Sequence, residues 1–329
     1  MNHIILSHDT ALAVSRSPYA NAMRGKRVCC PVQAEVPSPE RAHLIATRLG
    51  VPEPLHVLVG DVRARRPHRS VVCHAHAGPS AFCELGPGVL VSAPELLLAQ
   101  LPSHRDVPGA LMLGMELMGD YALSPDRNRS VRDRPALMVP AHLQSLANAA
   151  RPDALDGDPR RMSRSKLARV SRLLIPGARS PKEAEIALLL SLPRRLGGRG
   201  IQGIILNHRV DLSREARAVA GRKYLVCDIF IAGAGLELGY DSDSHHLTRR
   251  SHESDARREN ALRMMGVGYM GMTSGQLHQW SAFDALADRL AAEAGMRLRP
   301  LKHASRARQY ELWERLLFGR RLRGDLGDS

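Results

Sequence analysis

Short apolar runs and amphipathic stretches alternate along the first half of the chain. Residues 54–61 (PLHVLVGD) and 69–78 (RSVVCHAHAG) are rich in β-branched residues and are bounded by Pro, Gly and Asp, as is typical of strands. Residues 39–50 (PERAHLIATRLG) have the pattern of a short helix that ends at a glycine. We therefore expect an α/β domain over residues 1–150.

The second half has a clearer order of elements. Residues 180–193 (SPKEAEIALLLSLP) predict a helix with a serine N-cap and a proline at its first position. Two strands follow, in residues 223–233 (KYLVCDIFIAG) and 235–244 (GLELGYDSDS), and the glycine-containing turn between them predicts a hairpin. A helix, a third strand and a further helix complete an α/β domain over residues 176–298, in which we expect a mixed sheet flanked by helices.

The stretch between the two halves predicts a linker. Residues 151–175 are rich in Asp, Arg, Pro and Ser, which are typical of turns and connecting segments. We therefore place the domain boundary near residue 150. A chain of 329 residues is long enough for two such domains.

The last residues, 299–329, form a basic tail that also contains aromatic residues. We expect a tail helix, residues 308–319 (RQYELWERLLFG), to dock its aromatic side chains on the body of the protein. The arginines near the end of the tail are candidates for contacts with nucleic-acid phosphates. They are Arg320, Arg321 and Arg323.

The charge balance and the cysteine content narrow the class of protein. The chain has 47 Lys and Arg against 33 Asp and Glu, a net charge of +14. Such a charge favours polyanion partners, above all nucleic acid, although a general enrichment of the proteome in arginine explains it equally well. Five cysteines, an odd number, do not indicate a disulfide framework. The apolar runs are too short for a signal peptide or a membrane span, so we expect a cytoplasmic protein without membrane contact.

Acidic residues converge on the predicted hairpin. Because side chains alternate along a strand, Glu237, Gly239 and Asp241 share one face of the second strand. Asp228 lies near the end of the first strand and can face the same side. Carboxylates that converge in this way suit Mg²⁺ or Mn²⁺, which can activate water and stabilise a phosphoryl transition state. We therefore predict metal ligands at Asp228, Glu237 and Asp241.

The same half of the chain resembles the very-short-patch-repair-like endonucleases, which have the restriction-endonuclease-like fold. The resemblance covers about residues 178–298 and rests on the motifs SPKEAEIALLLSLP, CDIFI, LELGYDSDSHH and SDARRENALRMMG, in the family's order. The resemblance implies a metal-dependent DNA endonuclease. Seven residues of this chain match motif positions of the family in the first helix, the two strands and the following helix. They are Glu183, Asp228, Tyr240, Asp241, His245, Asp255 and Arg258.

Two positions depart from the family pattern E-Y-D-G-x-x-H, and the first of them matters for the chemistry. The family's strand glutamate falls on Gly239, and its glycine falls on Ser242. Glu237 lies two residues upstream, roughly 6.6 Å along the strand. It can replace the missing ligand only if the metal shifts, or if Glu183 and His245 complete the site. A missing ligand more often means lost activity than a relocated site.

The first half carries a second, shorter resemblance. The motifs HIILSHDTAL, LHVLVGDVRAR and GPGVLVSAPELLLAQL, within residues 3–100, resemble the effector portion of the abortive-infection type IV antitoxins. This resemblance implies a defence or toxin–antitoxin context, with a toxin or another protein as partner.

Two functional hypotheses follow. The first is a metal-dependent DNA endonuclease, with Asp228, Glu237, His245 and Glu183 as catalytic residues. The alternative is a nucleic-acid-binding or antitoxin-like regulatory protein that has kept the nuclease fold and lost the chemistry. In both, Arg257 and Arg258 would contact DNA together with the tail arginines. Simpler readings remain open for single residues, because Glu183 can be a helix-capping acid and Asp255 can pair with Arg258 on the helix surface.

Overall fold

The computed structural model divides the chain into two compact units, Met1–Pro176 and Gly177–Ser329. It describes residues 3–32, 34–76, 79–101, 106–124, 131–149, 162–241, 249–296 and 303–319. Both units are mixed α/β. The predicted boundary near residue 150 and the predicted linker 151–175 lie inside the first unit, where Arg164–Leu173 forms a helix. No helix among the described residues is long and apolar enough to cross a bilayer.

The first unit is built on a six-stranded mixed sheet with the strand order β2-β5-β6-β1-β3-β4. The strands are β1 Ile4–Leu6, β2 Val28–Pro31, β3 Leu55–Val59, β4 Val71–Ala75, β5 Pro79–Gly86 and β6 Val89–Ser92, and a separate hairpin joins β7 Tyr121–Leu123 to β8 Val131–Asp133. The helices are α1 His8–Ser15, α2 Pro39–Leu49, α3 Pro94–Gln100, α4 Val107–Leu117, α5 Pro140–Ala149 and α6 Arg164–Leu173.

The core of the first unit surrounds two fully buried elements. All three residues of β1 are buried because β1 lies inside the sheet, between β6 and β3. Every residue of α3 is also buried, including Glu95, whose carboxylate is paired with Arg27. The predicted strands over residues 54–61 and 69–78 correspond to β3 and β4, which pair in parallel.

Three histidines of the first unit pack against one another. The rings of His8 and His74 stack with their centroids 3.6 Å apart, and Nε2 of His74 lies 3.0 Å from Nδ1 of His56. Burial lowers the pKa of His56, and the carboxylate of Asp9, 3.8 Å from its Nδ1, opposes this effect. Charging neighbouring imidazoles would be unfavourable, so the packed cluster favours the neutral form of His56.

The lowered pKa of His56 predicts a pH-dependent stability of the first unit. An unfolded histidine has a pKa of about 6.5. Because the folded state holds the proton less tightly, the stabilisation is complete above that pH and is lost as the pH falls through the lower, folded-state value. We expect the melting temperature to fall on mild acidification, and His56→Gln to remove most of this dependence. Melting curves that are equally pH-dependent in both proteins would contradict the assignment.

The second unit is built on a four-stranded sheet with the order β12-β11-β10-β9. Its strands are β9 Ile204–Asp211, β10 Tyr224–Ile231, β11 Leu236–Asp241 and β12 Gly268–Thr273. Its helices are α7 Pro181–Ser191, α8 Arg214–Ala220, α9 Arg249–Met264, α10 Ser274–His278, α11 Trp280–Glu293 and α12 His303–Phe318. The antiparallel pairing of β10 with β11 confirms the predicted hairpin, and α9 provides the crossover to β12, which runs parallel to β11.

Local signals in this unit produce the predicted helix ends. The hydroxyl of Ser180 accepts the backbone N–H of Glu183 at 3.2 Å, which starts α7 as predicted.

In α12, the indole N–H of Trp313 donates to Leu277 O at 2.9 Å, and its ring packs near those of Trp280 and Tyr310. Trp313 of the tail therefore docks on the body of the unit, as predicted, whereas Tyr310 and Phe318 touch neighbouring rings and remain exposed.

Candidate functional site

Three of the predicted acidic residues come together in the second unit. Asp228 on β10 and Glu237 on β11 are neighbours, because the backbone N–H of Asp228 donates to Oε1 of Glu237 at 3.3 Å. Glu183 on α7 lies near them, since the charge of Asp228 contributes to a raised pKa of Glu183. The convergence that strand alternation and the family resemblance indicated is therefore present.

The carboxylate of Glu183 is already satisfied by donors from the protein. It accepts the backbone N–H of Arg179 at 2.9 Å, the hydroxyl of Ser180 at 3.0 Å and the amide of Asn207 at 2.6 Å. Asn207 reaches it from β9 with a left-handed backbone, φ +51°. Burial is the main cause that raises the pKa of Glu183, and these hydrogen bonds oppose it. Glu183 therefore acts as the capping acid of α7 and also lies beside Asp228.

Asp228 is half-buried between positive and negative groups. Burial raises the pKa of Asp228, and the guanidinium groups of Arg258 and Arg179 oppose this effect. The backbone N–H of Tyr240 also donates to its carboxylate. The charges of two arginines therefore act on Asp228, although no ion pair within 4.0 Å joins it to either one among the described residues.

Glu237 forms a buried ion pair with Arg258 of α9. Its side chain is completely inaccessible to solvent. Nη2 of Arg258 donates to Oε1 of Glu237 and, at 2.7 Å, to the carbonyl of Val226 on β10. Burial raises the pKa of Glu237, and Arg258 opposes this rise. The carboxylate of Glu237, which we predicted as a metal ligand, is therefore bound to a cation of the protein itself.

The position of the missing family glutamate is covered by a tyrosine. β11 and β12 pair in parallel with Glu237 opposite Tyr269, and the Tyr269 side chain extends over Gly239. A Cβ atom on Gly239 would lie 2.7 Å from Oη of Tyr269 and 2.9 Å from its Cε2. Real Cβ atoms do not approach heavy atoms so closely, so any side chain at position 239 requires Tyr269 to move.

The other predicted site residues lie apart from this centre or outside the described residues. Asp241 is exposed at the end of β11, and Arg257 is exposed on α9. The described ranges contain no group of three or more His, Cys, Asp or Glu side chains that could hold a metal ion. Four predicted residues fall outside those ranges, and they are His245, Arg320, Arg321 and Arg323.

The sequence reasoning missed Asn207, Arg179 and Tyr269. The only sequence signal at Asn207 is the tolerance of asparagine for a left-handed backbone, which here places its amide on Glu183. That tolerance alone does not identify a site residue. Arg179 contributes its backbone N–H and its charge from the turn before α7. The position of the Tyr269 side chain over Gly239 follows from the register of β11 with β12, which the sequence pattern does not specify.

Comparison with known proteins identifies no relative: no family model, no curated protein and no solved structure matches this chain.

Removal of Arg258 should destabilise the second unit strongly. Arg258→Ala leaves a buried carboxylate without its cation, which costs about 3 kcal/mol in comparable cases. The neighbouring Arg257→Ala is the matched control, because that side chain is exposed, and its effect should stay within about 0.5 kcal/mol. Urea denaturation measures both, and the double variant Glu237→Leu/Arg258→Met should recover most of the loss.

The pH dependence of the Arg258→Ala variant tests the same ion pair. Burial favours the protonated form of Glu237, so the penalty is absent below the unfolded pKa of about 4.3 and grows as the pH rises through the raised, folded-state pKa. A loss of stability that does not change with pH would show that Glu237 is not the unpaired group.

Gly239→Ala should destabilise the unit because of Tyr269. Overpacking of this kind costs about 1–3 kcal/mol, and most of it should disappear in a Tyr269→Ala background. Gly233→Ala is the control, because no atom lies within 4 Å of its added Cβ, and it should be neutral or slightly stabilising. Equal thermal shifts for Gly239→Ala in the two backgrounds would contradict the steric explanation.

Proposed function

We propose that the second unit is a restriction-endonuclease-like module that binds nucleic acid and has lost metal-dependent cleavage. The observation that carries this proposal is the ion pair between Arg258 and the buried Glu237. The guanidinium of Arg258 binds the carboxylate of Glu237, which would otherwise have to replace the metal ligand that is missing at Gly239. Order and pairing of the elements, with a hairpin, a crossover helix and a parallel strand, support the fold assignment.

The carboxylates of the described residues do not fit a Mg²⁺ or Mn²⁺ site. These ions need several oxygen ligands in a near-ideal arrangement. The carboxylate of Glu183 already accepts three hydrogen bonds from the protein, and Oε1 of Glu237 accepts one from Arg258. Asp241 is exposed at the end of β11. Asp228 is the acid best placed to accept a cation. We therefore derive no catalytic step through a metal.

The charge of the chain supports nucleic acid as the partner. A net charge of +14 attracts polyanions, and Arg257 presents an exposed guanidinium on the helix that holds Arg258. This binding would not need a metal, because the contacts are made by arginine side chains.

A metal-dependent DNA endonuclease is the second candidate. It is favoured by one observation, the closeness of Asp228 to Glu183, whose pKa is raised by burial and by the charge of Asp228. A bound cation would relieve this repulsion. In that case the metal ligands or proton carriers would be Asp228, Glu183 and His245. Glu237 would remain in its ion pair with Arg258.

A combined binding and cleavage assay separates the two candidates. The full chain is incubated with supercoiled plasmid and with a fluorescent DNA duplex, in the presence of Mg²⁺, Mn²⁺ or EDTA. We expect the duplex to bind equally well in EDTA and the plasmid to remain intact. Asp228→Ala should bind as the wild type does.

Asp211→Ala is the matched control, because it removes an exposed carboxylate from β9. Metal-dependent nicking that is lost in Asp228→Ala and kept in Asp211→Ala would establish the endonuclease and overturn the inert module. Failure of the wild type to bind the duplex would overturn the nucleic-acid assignment.

A further inference from the structure

A basic groove lies beside the Glu237–Arg258 ion pair. It has a volume of about 440 Å³ and runs between the end of α8, the start of β10 and the helix α9. The polar residues that line it are Arg222, Glu253, Ser254, Arg257 and Arg258. Three guanidinium groups therefore face one cavity that contains a single carboxylate.

Two of these arginines are free to bind an anion. Arg222 and Arg257 are both exposed, and neither has a hydrogen bond or an ion pair to another described residue. Two other exposed arginines of this unit, Arg263 and Arg289, are paired, with Glu259 and Glu293 respectively. The donors of an unpaired guanidinium match the oxygens of a phosphate, so each of these two arginines can bind a phosphate of its own.

The third arginine is held in place from behind. Nη2 of Arg258 is bonded to Glu237 and to Val226 O, whereas its Nε and Nη1 donors have no partner among the described residues. Glu237 and the strand carbonyl therefore fix the guanidinium, which leaves donors available at the groove. An arginine fixed in this way loses less side-chain entropy when it binds a ligand.

We infer that this groove binds adjacent backbone phosphates of nucleic acid, with one phosphate contacted by each of Arg222, Arg257 and Arg258, and that Glu237 is the positioning residue for Arg258. The inference rests on the proposed function and names the surface that carries it. The groove is lined by three arginines, one serine and one glutamate, and no aromatic residue lines it, so it suits the phosphodiester backbone better than the bases.

The salt dependence of DNA binding counts the phosphates that the groove contacts. For duplex DNA the slope of log K against log salt changes by about 0.9 for each neutralised phosphate. Removing two contacts in Arg222→Ala/Arg257→Ala should therefore reduce the slope by about 1.8 and weaken binding at low salt. Fluorescence anisotropy of a labelled duplex with the full chain, at several NaCl concentrations, measures both quantities.

Arg289→Ala/Arg308→Ala is the matched control, because it removes two exposed arginines from α11 and α12. Its slope should equal that of the wild type. If the wild type binds and the two double variants have the same slope, the groove is not the contact surface, although the proposed function stands. If the wild type does not bind, the proposed function fails as well.

Glu237→Gln tests the positioning role. Counting charges alone predicts tighter DNA binding, because the variant loses a negative charge. If Glu237 instead orients Arg258, the slope should fall by about 0.9, as for the loss of one phosphate contact. Partial unfolding would reduce the amount of active protein and leave the slope unchanged, so an unchanged or steeper slope overturns the positioning role.

Discussion

The ion pair between Glu237 and Arg258 organises the centre of the second unit. A fully buried carboxylate is unfavourable unless a cation and hydrogen bonds compensate for the lost water. Arg258 supplies the charge, and the same nitrogen also donates to the carbonyl of Val226. One guanidinium therefore ties α9 to both strands of the hairpin. Burial and then the charge of Glu237 raise the pKa of the adjacent Cys227 to about 12, so this thiol stays protonated.

Gly239 has a structural reason in this arrangement. In the sequence, the glycine is only a departure from the motif of the endonucleases that this half of the chain resembles. In the folded unit, however, the ring of Tyr269 occupies the space that a side chain at position 239 would need. Tyr269 also packs against the apolar cluster formed by α8, α9 and the hairpin. The glycine at position 239 and the tyrosine at position 269 therefore belong together, because any side chain at position 239 would require Tyr269 to move.

Local signals were enough to predict part of this unit. Ser180 and Pro181 mark the start of α7, and alternation over residues 224–241 predicts the hairpin that places Asp228 beside Glu237. The edge strand β9 was missed because its second half is polar and only partly buried, so its alternation is weak. The contacts of Asn207 and Tyr269 depend on a left-handed residue and on a strand register, and neither is encoded in the pattern around those residues.

The inward direction of Arg258 was within reach of sequence reasoning. On a helix, residues three and four apart lie on one face, and consecutive residues point about 100° apart. Arg258 precedes Ala261 and Leu262 by three and four residues, and both of these are completely buried. Arg257 is one position away and is exposed. Helical periodicity therefore gives the two arginines of the DARR segment different surroundings: Arg258 reaches the buried carboxylate of Glu237, whereas Arg257 is exposed to solvent.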